Sequence, residues 1–193
     1  MNSQQPMLSI PLVKIDVERR LVIARAAQEV ADKSQEIMDY ATAKPAFQKW
    51  SDEMATMSNG LSKGNVRVMH QKTAAGKVTE ITFNDDEKAV DVVMKIVDDN
   101  EWRKCLEGVY TGVSMGGGYA KSWQDGNLRR YTPRITEISL VDNPCIPTAR
   151  FAELVKADGM TERLPLHGVA RTFGQLWRPP AKTFSDLWRA RVA

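Results

Sequence analysis

Apolar and polar positions alternate with a period of two along three consecutive stretches, residues 65–69, 77–83 and 89–97. In the third, Val90, Val92, Met94 and Ile96 fall on one face, the pattern of a half-buried antiparallel strand. Breaks at Ala74-Ala75-Gly76 and Asn84-Asp85-Asp86-Glu87 separate the stretches, so together they predict a β meander. Residues 8–17 and 20–26 predict an opening hairpin turning at Glu18 and Arg19, whereas residues 32–42 read as polar and irregular. Residues 109–114, running into Gly116-Gly117-Gly118, and residues 135–141, stopped by Asp142-Asn143-Pro144, complete the strand set.

A period near 3.6 is confined to short segments. Phe47, Trp50, Met54 and Met57 recur at helical spacing after Pro45, which suits a first helical turn because its missing N–H has no partner there anyway. Asn59-Gly60 ends that helix. Asp98 is placed as the N-cap of a second helix carrying Trp102, Cys105 and Leu106, with Gly108 as its stop. Residues 148–156, with Phe151, Leu154 and Val155, predict a third. Strands at short spacing with hairpin-length turns predict one mixed, mainly β domain over residues 1–157, a barrel or sandwich with short helices.

Residues 158–193 differ. They contain Pro165, Pro179 and Pro180, few aliphatic residues and an internal echo, Thr172-Phe173-Gly174-Gln175-Leu176-Trp177-Arg178 against Thr183-Phe184-Ser185-Asp186-Leu187-Trp188-Arg189. Two copies are too few for a solenoid. Phe, Leu and Trp at i, i+3 and i+4 would align on one helix face, so Phe173, Leu176, Trp177, Phe184, Leu187 and Trp188 are candidate docking residues for a protein partner.

Composition narrows the class of protein. At 193 residues and 42% hydrophobic content the chain suits one sizeable core, and no stretch approaches the roughly 18 apolar residues of a membrane span. Residues 1–6 are polar with no apolar run of a secretory signal behind them, which predicts a reducing compartment. Two cysteines, Cys105 and Cys145, and two histidines, His70 and His167, are too few for a zinc framework or disulfide scaffold, so no metal or cofactor is expected. The net charge of +3 lies wholly in the tail, where Arg163, Arg171, Arg178, Lys182, Arg189 and Arg191 oppose Asp158, Glu162 and Asp186. A neutral body argues against nucleic-acid binding by the body and fits a local protein-docking role for the tail.

Three positions carry candidate chemistry. His70 closes the run Val66-Arg67-Val68-Met69, and alternation puts it on the side of Val66 and Val68, half buried, where an imidazole can serve as a general base. Ser114 lies in Gly112-Val113-Ser114-Met115-Gly116-Gly117-Gly118, whose glycines allow close approach of a substrate and whose N–H groups at Met115, Gly116 and Gly117 could face an oxyanion. The spacing matches a G-x-S-x-G elbow, but the following residues are a poor helix start, which excludes the α/β-hydrolase fold. No Gly-Lys-Ser/Thr follows either, which removes the phosphate-loop reading. In the last strand, Ile138 and Leu140 share one face and Glu137, Ser139 and Val141 the other, so Glu137 could orient a histidine; Asp142 at the strand end competes for that role. Cys105 and Cys145 offer a weaker thiol-peptidase reading, one on a helix stripe and one between prolines.

Four stretches in order, Gly64-Asn65-Val66-Arg67-Val68-Met69-His70-Gln71, Gly76-Lys77-Val78, Glu107-Gly108-Val109-Tyr110-Thr111-Gly112-Val113-Ser114-Met115-Gly116-Gly117 and Thr136-Glu137-Ile138-Ser139-Leu140-Val141-Asp142-Asn143-Pro144, resemble the prohead maturation proteases of tailed bacteriophages, relatives of the herpesvirus capsid protease. The resemblance spans residues 10 to 151. It implies a serine endopeptidase with a closed antiparallel β-barrel flanked by short helices, acting in the host cytoplasm inside the assembling prohead on scaffold and major capsid protein. It implies Ser114 as nucleophile, His70 as general base and Glu137 as the third member. A homo-oligomer is compatible with it. The rival reading is a catalytically inactive head-assembly or scaffold-like protein that keeps the barrel as a binding module.

Overall fold

A computed structural model describes residues 19–155 and 161–163 of the chain. The alternation in residues 89–97 becomes strand β5 (Ala89–Ile96), in which Val90, Val92, Met94 and Ile96 are at most 1% exposed. Branched side chains suit this pleated surface because their restricted χ1 costs little there. β5 pairs antiparallel with β4 (Ala74–Asn84) on one side and β1 (Leu21–Gln28) on the other, and β4 continues to β3 (Gly64–Val68), so the predicted meander forms. Beyond β3 the sheet passes in parallel to β7 (Leu128–Val141), whose first residues also take β2 (Glu36–Met38) in parallel. β6 (Gly112–Asp125) folds back on β7 as a long hairpin, turning at Gly126 with φ +61°, where a left-handed backbone favours glycine. At the other end β1 pairs with β8 (Phe151–Val155), and β8 with β9 (Thr161–Arg163).

Helix α1 (Tyr40–Met57) packs Phe47 and Trp50 into the core, and α2 (Asp99–Leu106) adds Trp102 and Cys105. Asp98 caps α2 as the sequence predicts, its carboxylate accepting from Asn100 and Glu101 N–H. The start of α1 differs from expectation: it lies at Tyr40, with Pro45 inside the helix. The Asp39 carboxylate accepts from Thr42 N–H and from the Thr42 hydroxyl, and this cap sets the start while Pro45 forfeits one early helical bond. Residues 32–42 are accordingly structured, as β2 and the first turn of α1.

Two further expectations are corrected. Within residues 148–156, Phe151–Val155 form strand β8 rather than a helix: the i, i+3 spacing of Phe151 and Leu154 reads as helical, but pairing with β1, with an irregularity between Ile23 and Ala24, makes the segment a strand. The sheet is a curled half-barrel that stays open rather than a closed barrel. Among the described residues, β6 pairs with the β8 end of the sheet at one isolated bridge between Gly112 and Arg150, with Val113 N–H donating to Ala149 O at 2.9 Å and Phe151 N–H to Thr111 O at 3.0 Å. Past Val113, among the described residues, β6 pairs only with β7, and its other edge is free. β9 lies beyond position 157 and pairs with β8. The expected strand over residues 8–17, His167 and the six aromatic and leucine docking residues of the tail lie outside the described residues.

Candidate active site

β7 runs between β3 and β6, and its alternation sorts chemistry from core. Ile138 and Leu140 are fully buried on the inner face; Glu137 and Ser139 occupy the other face. Cross-strand pairing sets Arg67 of β3 and Ser114 of β6 directly beside Ser139, so Arg67, Glu137, Ser139 and Ser114 share one face. β3 ends at Val68, and Met69 and His70 then take left-handed backbone angles, φ +47° and +57°. Two consecutive non-glycine residues in this region cost about 1–3 kcal/mol each, a strain found where a side chain must be aimed. The turn is held by Met69 N–H to Leu140 O, Gln71 N–H to Val68 O and His70 N–H to Ser139 Oγ at 3.1 Å.

This turn changes where His70 points. Strand alternation places it with Val66 and Val68, but Val66 is buried in the core while the His70 ring swings over the opposite face, half exposed. There His70 Nδ1 lies 2.8 Å from Glu137 Oε1. The same Oε1 accepts from Ser139 Oγ at 3.0 Å, and Arg67 Nη1 is 2.8 Å from Oε2. A carboxylate ion-paired with arginine only accepts, so His70 Nδ1 is the donor and its Nε2 lone pair is left for a proton. Glu137 is 3% exposed, and its side chain lies across Gly116, where a Cβ would overlap both Glu137 Cγ and Oε1. The glycine two residues past the nucleophile candidate is thus a cradle for the carboxylate.

Ser114 stands one cross-strand pair from Ser139, and among the described residues no hydrogen bond joins it to His70. Bonds of this kind tighten when substrate binds. Of the oxyanion candidates, Met115, Gly116 and Gly117 all lie in the β6 ladder with a bulge between the last two. Val113 N–H points away from β7, toward Ala149, so alternation directs Met115 N–H to the free edge and Gly116 N–H into the ladder. Asp142 lies at the exposed end of β7 with its backbone carbonyl accepting from Thr111 Oγ1; Glu137, not Asp142, meets the imidazole. Arg67 and Ser139 went unread as site residues, although the period of two already places Ser139 on the face of Glu137.

Neither cysteine joins this cluster. Cys105 is fully buried on α2, and burial together with the Glu101 charge pushes its thiol up to about 12. Cys145 Sγ lies 3.5 Å from Ser34 Oγ, in hydrogen-bond contact, and both residues line a cavity. That cavity, about 370 Å³, is lined by residues 113–119 of β6, Ser114 among them, and by Asp32, Tyr131 and Ile135. Among the described residues no group of three or more histidine, cysteine or carboxylate side chains is arranged to hold a metal, and no helix is long and apolar enough to cross a membrane. Comparison with family models, curated proteins and solved structures returns no match to this chain.

Proposed function

We propose that the chain is a serine endopeptidase that works as the resembled prohead proteases do, cutting scaffold and capsid protein segments inside an immature phage head in the host cytoplasm. The observation that carries this reading is the 2.8 Å contact of His70 Nδ1 with a buried carboxylate, on the face where the neighbouring strand presents Ser114. Histidine, carboxylate and serine come from three strands or strand ends, with 67 residues separating His70 from Glu137.

In this mechanism His70 Nε2 takes the Ser114 proton as Oγ attacks the scissile carbonyl, and Glu137 stabilises the resulting imidazolium. Met115 N–H, on the free edge, is the backbone donor placed to meet the oxyanion. The imidazolium then protonates the leaving amine as the C–N bond breaks, and an acyl group remains on Ser114. Water, deprotonated by His70, hydrolyses the ester and restores the serine. An extended peptide fits the free edge of β6, since main-chain pairing there would carry its carbonyl past Ser114.

The test is covalent. A serine-directed phosphonate should label Ser114 and not the Ser114→Ala variant, and Ser114→Ala should abolish cleavage of co-expressed head proteins, a loss on the order of a millionfold in turnover. Continued cleavage by that variant, or absence of labelling in the parent, removes the enzyme and leaves the binding module.

A further inference from the structure

The cavity beside Ser114 contains two nearly buried polar side chains that the mechanism does not use. Asp32 is 8% exposed and Tyr131 is 6% exposed, and both line it. Asp32 Oδ1 is spent on the turn before β2, accepting from Ser34 N–H at 2.7 Å and Glu36 N–H at 3.0 Å. Asp32 Oδ2 accepts no hydrogen bond among the described residues, and no cation there pairs with it. The Tyr131 hydroxyl likewise has no hydrogen-bond partner among the described residues, although its ring packs on Tyr119 with centroids 4.9 Å apart. Burial pushes the Tyr131 hydroxyl up, and the nearby Asp32 charge pushes it further in the same direction.

Of the other charges on the cavity wall, Glu36 is paired, and Arg134 is an exposed side chain without an ion pair among the described residues. Glu36 is occupied by Arg129 and by the Tyr119 hydroxyl at 2.5 Å, which hold its carboxyl below the usual range despite burial. Arg134 lies at the Gly118 end, with its guanidinium beside that glycine. Asp32 is therefore the carboxylate left over, nine-tenths withdrawn from water and without a counter-charge among the described residues. A carboxylate oxygen on a cavity wall with no paired cation is a site that a cation with N–H donors completes.

We infer that the cavity is the pocket for a lysine or arginine side chain of the peptide substrate, with Asp32 Oδ2 receiving the cation and Tyr131 Oη contributing a second hydrogen bond, beside Ser114. This rests on the peptidase reading, whose substrate it names: a peptide basic at a position flanking the scissile bond. A neutral side chain of the same length would leave Asp32 unpaired, so discrimination is expected to be large rather than graded. Hydrogen bonds to a charged group of this kind set it on the order of 10- to 100-fold.

The experiment has a catalytic arm and a binding arm, both with the full chain. A fluorogenic peptide library varied among Lys, Arg, norleucine, Gln and Glu on either side of the cut gives kcat/KM, and fluorescence anisotropy gives the affinity of the same peptides for Ser114→Ala. The expected result is a 10- to 100-fold preference for Lys or Arg over norleucine in both arms. It should collapse to within about threefold in Asp32→Asn, which keeps the Oδ1 acceptor for the turn, and fall partly in Tyr131→Phe. Thermal melting checks that the variants fold; the parent's own preference stands whether or not they do. Cleavage or Ser114 labelling without a preference for basic residues overturns this inference alone, as does a preference retained in folded Asp32→Asn. Binding selective for basic peptides with no labelling and no cleavage supports the pocket while overturning the peptidase. Absence of labelling, cleavage and selective binding overturns both.

Discussion

Glu137→Gln tests the site at its centre. The carboxylate serves three neighbours at once: His70 Nδ1 at 2.8 Å and Ser139 Oγ at 3.0 Å on Oε1, and Arg67 Nη1 at 2.8 Å on Oε2. Glutamine keeps the shape but offers one acceptor and one donor group. With its carbonyl toward His70, its NH₂ faces the Arg67 guanidinium, and no negative charge remains to stabilise the imidazolium. With its NH₂ toward His70, Nδ1 must accept, the ring proton moves to Nε2, and the general base is lost. Either orientation is expected to lower kcat by about 10³- to 10⁴-fold, about 4 to 5 kcal/mol of barrier. Stability should fall less. Glu137 is buried, but the Arg67 side chain is 37% exposed and rehydrates, so the ion-pair share is about 1 kcal/mol or below, with about 1–3 kcal/mol more for the disturbed hydrogen bonds. The assay is the phosphonate labelling rate and peptide turnover per folded molecule, with the folded fraction taken from thermal melts. A folded Glu137→Gln protein that turns over within tenfold of the parent would refute the assignment and leave Glu137 a structural carboxylate.

Gly116→Ala should move the same carboxylate from the other side, since the new Cβ overlaps Glu137; the expected cost is about 1–3 kcal/mol in a denaturant melt, with a larger proportional loss of turnover than of folded protein. Cys105 should resist alkylation by iodoacetamide in the folded protein at neutral pH and react once unfolded, because burial keeps its thiol pushed up to about 12; rapid native labelling would contradict that placement. Acid should destabilise the fold in part through Glu29 and Glu36. Desolvation opposes the shift in both, but hydrogen bonds from Tyr40 N–H, Lys88 and Arg130 to Glu29, and from Tyr119 and Arg129 to Glu36, leave each carboxyl below its ordinary value of 4.5. A depressed folded value gives stability that is present above 4.5 and lost as pH falls through the folded value, so melts should weaken in that acid window, and Glu36→Gln should flatten the dependence.

The site was legible wherever a local pattern and its geometry coincide. The period of two along residues 135–141 already puts Glu137 opposite Ile138 and Leu140, and the structure keeps that division. His70 shows where such reading stops. Alternation holds only while the backbone stays extended, and the left-handed pair Met69 and His70 reverses the direction of the ring, a turn that neither residue type advertises as glycine or asparagine would. Arg67 was unreadable for a different reason: its meaning depends on the parallel register that lays it beside Ser139, and nothing local specifies which strands become neighbours.

The chain's own pattern therefore determined the β meander, the capped α2, the two-faced last strand and the residue types available for acyl transfer, because each follows from dihedral preference and side-chain period within a few residues. Tertiary structure decided the rest. It made residues 151–155 a strand, since the open edge of β1 offered hydrogen bonds that an isolated helical turn could not match. It left the half-barrel open along β6, which among the described residues bridges to Arg150 at Gly112 and pairs past Val113 with β7 alone. And it brought His70, Glu137 and Ser114 to one face, since β6 and β7 meet as a hairpin but β3 joins them only through long-range parallel pairing, whose loop-closure cost is repaid by the core beneath them.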